Sequence, residues 1–236
     1  MKNIVTIFLL ACIGTSVLAQ NTTNFAHIGR IDRFEPEVNE LIPKDAKIEV
    51  LCGGFEWSEG PVWMPESGNK YGGFVLFSDI PNNVVMKWQE GVGASVYMKP
   101  AGYTGVADYG REPGSNGLAL DSQGRLVLCE HGDRRISVVT KGGGKVTLAD
   151  RWQGKRLNSP NDLAIRKNGD IFFTDPIYGL PKRASDPMRE IDFCGVYRLQ
   201  KDGTVTPPDA ATAATPPAQT TEKVAAPPPP PPPAPP

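Results

Sequence analysis

Short strands, glycine turns and a polar pair recurring at one phase predict an all-β chain made of β-propeller blades. The 236 residues include 25 glycines, spread between brief apolar runs as many tight turns require. Self-similarity is the stronger signal. One segment runs from Ser58 as SEGPVWMPESGNKYGGFVLFSDIPNNVVMKW. A second runs from Ser115 as SNGLALDSQGRLVLCEHGDRRISVV. A third runs from Pro160 as PNDLAIRKNGDIFFTDPIYGL and resumes later as GVYRLQKDGTV.

Each segment opens on an acid or amide with a partner: Glu59-Gly60, Asn116-Gly117, Asn161-Asp162. An apolar strand follows at 62–63, 118–120 and 163–165. A glycine-bearing turn leads to a second strand that closes on an acid: Asp79, Glu130, Asp175. A third strand is expected at 84–88, 135–139 and 196–199. A fourth is expected at 94–98 and 145–148, and incompletely at 203–206. The openings lie 57 and then 45 positions apart. Four short strands at such a repeat describe propeller blades, about three to three and a half of them. A β-sandwich also has short strands and glycine turns, but it has no reason to place one polar pair at the same phase of each repeat.

In a propeller the first strand of each blade lines the central channel, so these openings converge on one axis. A ring of carboxylate and amide oxygens there suits a hard divalent cation, with Ca²⁺ foremost and Zn²⁺ or Mn²⁺ not separated from it. The competing reading is local: Asn and Asp before a strand also cap turns through side-chain bonds to the backbone.

The flanks differ from the middle. Lys2, an apolar run and Val17-Leu18-Ala19 form an export signal over 1–19, cleaved before Gln20. The run is too short for a span of about 20 residues, so no transmembrane segment is expected. A periplasmic or secreted protein follows, with lipidation at Cys12 of Leu9-Leu10-Ala11-Cys12 as the alternative. Positions 25–206 are expected to form the partial propeller domain. From 207 to 236 the chain is rich in proline and alanine. Thirteen of its 24 prolines lie there, the composition of a disordered polyproline II tail, a spacer or a ligand for proline-binding proteins. With net charge −1 and no basic stripe, nucleic acid is not expected as a partner. Cys52, Cys129 and Cys194 form no CxxC pair and read as small strand thiols, with one bridge as the alternative. They and the two histidines, His27 and His131, lack zinc-site spacing.

Three stretches carry a family resemblance: Ser58-Glu59-Gly60-Pro61-Val62-Trp63, Asn158-Ser159-Pro160-Asn161-Asp162-Leu163 and Phe173-Thr174-Asp175-Pro176-Ile177-Tyr178-Gly179-Leu180. Together they resemble the gluconolactonase and senescence-marker-protein family over about 48–205. Cys129-Glu130-His131-Gly132-Asp133-Arg134-Arg135 is similar to its bacterial gluconolactonase branch. The resemblance implies a six-bladed propeller that hydrolyses a sugar lactone with a divalent cation, commonly Ca²⁺, in its channel. It implies Glu59 as a metal ligand and Asn161 and Asp162 beside metal and substrate, with Asn161 a second ligand; Asp162, a carboxylate near the metal able to take a proton from water, is the candidate catalytic base. Asn116, Asn161, Arg156 and His131 are the candidate substrate contacts. No GxSxG elbow or Ser-His-Asp set is present.

After Lys201-Asp202-Gly203-Thr204-Val205 the family continues with another Asn-Gly opening and a later Asp. Neither has a counterpart here, so about half of the ring is expected, with a thinner ligand set and turnover in question. The alternatives are a non-catalytic propeller-type binding module at the cell envelope and an inactive shortened fragment.

Overall fold

A computed structural model describes residues 25–207 of the chain. The expected signal segment, Cys12 and nearly all of the proline-rich tail lie outside the described residues. Two compact units divide at Gly53. The first holds a short antiparallel ribbon of β1 (Ala26–His27) and β2 (Glu49–Val50), with one helical turn, α1 (Val38–Leu41), between them in sequence. The Arg33 guanidinium gathers that turn, donating to Asn39 Oδ1 (3.2 Å), Ile42 O (3.0 Å) and Pro43 O (2.6 Å).

The second unit carries three four-stranded antiparallel sheets, each a meander in chain order. Blade 1 is β3 (Ser58–Pro65), β4 (Gly73–Asp79), β5 (Val84–Gln89) and β6 (Gly93–Met98). Blade 2 is β7 (Ser115–Leu120), β8 (Leu126–Glu130), β9 (Arg135–Val139) and β10 (Lys145–Ala149). A small hairpin of β11 (Arg151–Trp152) and β12 (Lys155–Arg156) follows. Blade 3 is β13 (Leu163–Ile165), β14 (Ile171–Asp175), β15 (Gly195–Leu199) and β16 (Val205–Thr206). The blades expected from the repeat are therefore three, and the weak fourth strand of the last is the two-residue β16. Among the described residues no helix is long and apolar enough to cross a membrane.

Burial explains the sequence pattern. Every residue of β8 is buried. Leu126 and Leu128 face a core shared with Phe74, Leu76 and Val85 of blade 1. Val127 and Cys129 face the other way, into a core with Ile171, Phe173, Tyr197 and Leu199 of blade 3. A strand covered on both sides has no reason to alternate, so it reads as a continuous apolar run. Each fully buried Leu, Val or Phe side chain contributes roughly 1.5–3 kcal/mol. Aromatic rings fill the second core, with Tyr197 stacked on Phe173 at 5.5 Å and near Trp152 at 5.5 Å between centroids. Cys52, Cys129 and Cys194 are all free thiols, and only Cys129 is the buried strand thiol the sequence suggests.

The three strand-closing acids are buried, and two of them do the same work. Asp79 Oδ1 accepts from the backbone N–H groups of Glu56 and Trp57, both at 3.2 Å. Asp175 accepts from those of Asn158 and Ser159, both at 2.8 Å. In each case the carboxylate holds the chain as it arrives at the first strand of its blade. Burial pushes the Asp175 carboxyl up to about 7, against the pull of those two N–H groups and of Arg134. Glu130 instead meets side chains: Arg135 Nε at 2.9 Å, Lys145 Nζ at 2.9 Å and the Ser137 hydroxyl.

Asp175→Ala removes the shared acceptor of two buried N–H groups. It is expected to lower unfolding stability by about 3 kcal/mol, read as a lower midpoint in urea denaturation with an unchanged slope.

Candidate active site at the blade openings

Each first strand is irregular where its polar pair lies. Ser58 pairs with Asp79 and Glu59 with Ser78, and then Gly60 and Pro61 together bridge to Val62, which pairs with Leu76. Ser115 pairs with Glu130, and Asn116 and Gly117 together bridge to Leu118, which pairs with Leu128. In blade 3 the Asn161 N–H donates to Thr174 O at 2.9 Å, and the Thr174 N–H donates to Asp162 O at 3.0 Å. Two residues thus share one partner at every opening. Such bulges bend a strand and re-aim its side chains. In blade 1 the bulge begins at Gly60, one residue beyond the acid, whereas in blades 2 and 3 the amide itself belongs to the widened pair.

The openings also touch one another. The Gly117 N–H donates to Asn161 O at 2.7 Å. A Cβ on Gly117 would stand 2.6 Å from Asp162 Oδ1 and 2.8 Å from Asn161 O. A Cβ on Gly60 would stand 2.2 Å from Asn116 O, and the Gly60 φ of +55° is itself in the left-handed region. The two glycines let backbones of successive blades meet with no side chain between them.

That contact gathers the predicted residues. Glu59, Asn116, Asn161 and Asp162 line one hollow of about 240 Å³ with Gly60, Pro61 and Leu118. A second hollow of about 320 Å³ shares Glu59, Asn116 and Asn161 and adds Trp57, Glu112, Tyr178 and Arg183. Asn116 is buried, Glu59 and Asn161 are half-buried, and Asp162 is exposed. The Trp57 indole N–H donates to Glu59 Oε1 at 3.2 Å. Asp162 Oδ1 accepts from the Leu163 N–H at 2.9 Å. A larger hollow of about 430 Å³ lies elsewhere, among turn residues such as Ser122, Gln123 and Gly203. Its acid, Asp121, is already paired with Arg125 at 2.7 Å.

The other two predicted contacts are placed differently. Arg156 lines neither hollow at the openings. Its guanidinium donates to Asp133 O at 2.6 Å and its backbone N–H to Glu190 Oε2 at 2.8 Å. His131 has no exposed surface and reaches the hollow through Asn161, whose amide nitrogen is 3.5 Å from its Nε2. Sequence reasoning missed Glu112 and Arg183, which lie on the loops after β6 and β14, where no periodicity marks a residue. Tyr178 stood in a quoted motif without a role.

Two carboxylates, Glu59 and Asp162, and two amides, Asn116 and Asn161, offer oxygen donors, the kind a hard cation takes. Among the described residues, no group of three or more His, Cys, Asp or Glu side chains converges. The set fits such an ion in kind and supplies only part of the six to eight oxygens that Ca²⁺ gathers.

Comparison with known proteins identifies relatives of this chain and of its fold. The profile of the SMP-30/Gluconolactonase/LRE-like region matches residues 57–214. A gluconolactonase of Zymomonas mobilis is 38% identical over 195 residues, covering 80% of this chain and 53% of that protein. The structure of a gluconolactonase from Xanthomonas campestris superposes with a TM-score of 0.62 at 30% identity, covering 78% of this chain and 57% of the other. A structural-genomics target described as a gluconolactonase-type protein gives 0.61 at 34% identity, covering 74% and 56%. The chain therefore spans little more than half the length of the relatives it matches.

Gly117→Ala forces a methyl group against the Asn161–Asp162 backbone. It is expected to cost about 1–3 kcal/mol by thermal or urea unfolding, with the loss at the contact between blades 2 and 3 visible as faster exchange of the amide at position 117 than in the unaltered chain.

Proposed function

The chain belongs to the SMP-30/Gluconolactonase/LRE-like family, and on that premise we propose a hydrolase of the gluconolactonase type that opens a sugar lactone to its aldonic acid. The observation that carries the reading is the single hollow lined by Glu59, Asn116, Asn161 and Asp162, one opening from each of three successive blades. Asp162 is the base: its carboxylate is exposed at the opening, takes the proton from the water that adds to the lactone carbonyl, and returns it to the ring oxygen as the acyl C–O bond breaks. Asn116 and Asn161 hold the lactone by hydrogen bonds to its oxygens. Glu59 and Asn161 would be ligands of a divalent cation, Ca²⁺ foremost; an all-oxygen donor set is less suited to Zn²⁺ and does not separate Ca²⁺ from Mn²⁺. When bound, the cation polarises the carbonyl and stabilises the oxyanion.

The N-terminal composition supports export to the periplasm or the exterior, where a free sugar lactone would be met. The proline-rich tail supports a spacer or a ligand for proline-binding proteins.

Calcium-dependent hydrolysis of glucono-δ-lactone, followed by a pH indicator, tests the reading. Glu59→Gln is expected to weaken Ca²⁺ binding about 10–100-fold by isothermal titration calorimetry. Asp162→Asn is expected to lower kcat by about 10²–10⁴ while calcium affinity is kept. Calcium binding with no turnover in the unaltered chain would make it a binding module instead.

A further inference from the structure

The second hollow at the openings does not end at Glu112. Glu112, Tyr178 and Arg183 also line a recess of about 330 Å³, whose other walls include Arg111 and Leu180. The two spaces adjoin along those three residues. Charge is divided between their ends. Acids stand at the inner end, where Glu59 and Asp162 line the first hollow. In the outer recess two guanidiniums meet one carboxyl, Glu112, which cannot cancel both whatever its own charge. Nor are the arginines committed elsewhere. Arg183 Nη2 lies 3.9 Å from Glu112 Oε1, too far for a hydrogen bond. The Arg111 guanidinium lies over the Trp57 ring, its carbon 5.7 Å from the centroid. Among the described residues neither guanidinium donates a hydrogen bond, so both keep their planar set of N–H groups for a ligand.

The loops that carry the two arginines are held in place. A Cβ on Gly110 would stand 3.4 Å from the Pro181 Cβ, so the loops pack on each other close to both residues. The buried Asp186 carboxylate accepts from the Lys182 and Met188 N–H groups, both at 2.9 Å, on either side of the Arg183 turn. Arg183 itself takes a φ of +50°, which a residue with a side chain keeps only where its surroundings impose it. A lone surface arginine is usually solvated and binds nothing. Here two converge on one recess that adjoins the proposed site.

From this geometry we propose that Arg111 and Arg183 bind an anionic group, a carboxylate or a phosphate, on the end of the sugar lactone remote from its carbonyl. That the molecule is a lactone rests on the function proposed above; that it carries a negative charge rests on the recess. Carboxylate and phosphate oxygens both match the paired N–H groups of a guanidinium. With the anion held there, the lactone carbonyl is left towards Glu59 and Asn161, so the same contact selects the substrate and orients it. Tyr178, exposed and shared by both spaces, offers a ring face to the apolar side of the sugar.

The test titrates the ¹⁵N-labelled full chain, in calcium buffer, with glucose, glucuronate and glucose 6-phosphate, and follows amide shifts. The three share one ring and differ in charge at its far carbon. None is a lactone, so binding is read whether or not the chain hydrolyses one. At least one acid is expected to bind about tenfold more tightly than glucose, and the tighter of the two names the group. Arg183→Gln and Arg111→Gln are each expected to shrink that preference several-fold, and the double variant to abolish it. Both side chains are exposed, so the substitutions leave the cores untouched, and unchanged amide signals in the blades check this. Equal affinity for the three sugars, or binding of none, overturns the proposal, as does an acid preference that survives in the double variant. A preference that depends on the two arginines, in a chain that opens no lactone, upholds the anion site and counts against the lactone reading alone.

Discussion

Two glycines without side chains decide where everything else in the blades can stand. At Gly60 and Gly117 the first strand of one blade meets the opening of the next at backbone distance, and no Cβ fits between them. Strands that approach this closely bring their polar openings to one place, because the bulged pairs turn the adjoining Glu59, Asn116, Asn161 and Asp162 side chains towards a shared hollow. A polar ring of this kind carries a desolvation cost, and Asn116 is already buried. The offset comes from the faces behind it, where β8 is covered on both sides by apolar cores shared with its neighbours.

The closing acids link the two layers. Asp79 and Asp175 each hold two consecutive backbone N–H groups of the chain that leads into a first strand. They set the height at which each opening begins, and with it the reach of Glu59 and Asn161. Glu130 serves the middle blade differently, as the buried centre of Arg135, Lys145 and Ser137. The middle blade is packed on both sides and is held at its opening through Gly60 and Gly117, so its acid is free to organise side chains.

Much of this was legible in the sequence, for physical reasons that can be named. A strand with both faces covered appears as an unbroken apolar run, so LVLCE stood out, whereas IFFTD is buried on alternate residues. The turns appear because Gly124, Gly169 and Gly203 take a left-handed φ that few other residues adopt. The polar openings appear because a channel needs them at one phase. What stayed hidden depends on contact across the chain. The extra residue in each bulge has no signature of its own, and in blade 1 it falls one position later than the acid suggests. Arg156 looks like a site residue because it precedes the Asn-Asp pair, yet one arm of its guanidinium is held by the Asp133 carbonyl and it lines neither hollow. Glu112 and Arg183 come from loops whose lengths differ between blades, so no repeat could point to them.

Ser159 joins parts of the molecule that change on different scales. Its N–H is held by Asp175, and its hydroxyl donates to Pro176 O and accepts from the Gly179 N–H at 3.0 Å. One buried side chain thereby pins the root of the loop that carries Tyr178 and that ends against His131. Beyond that root the loop runs outward through Arg183 and Met188, both largely exposed. Their side chains point outward while the backbone stays tied to blade 2, where the Met188 carbonyl accepts from Arg134 at 2.7 Å, and Ile191 enters the core. The wall of the hollow therefore hangs from a buried peg, with exposed side chains such as Arg183 free to be exchanged while Ser159 keeps the root in place.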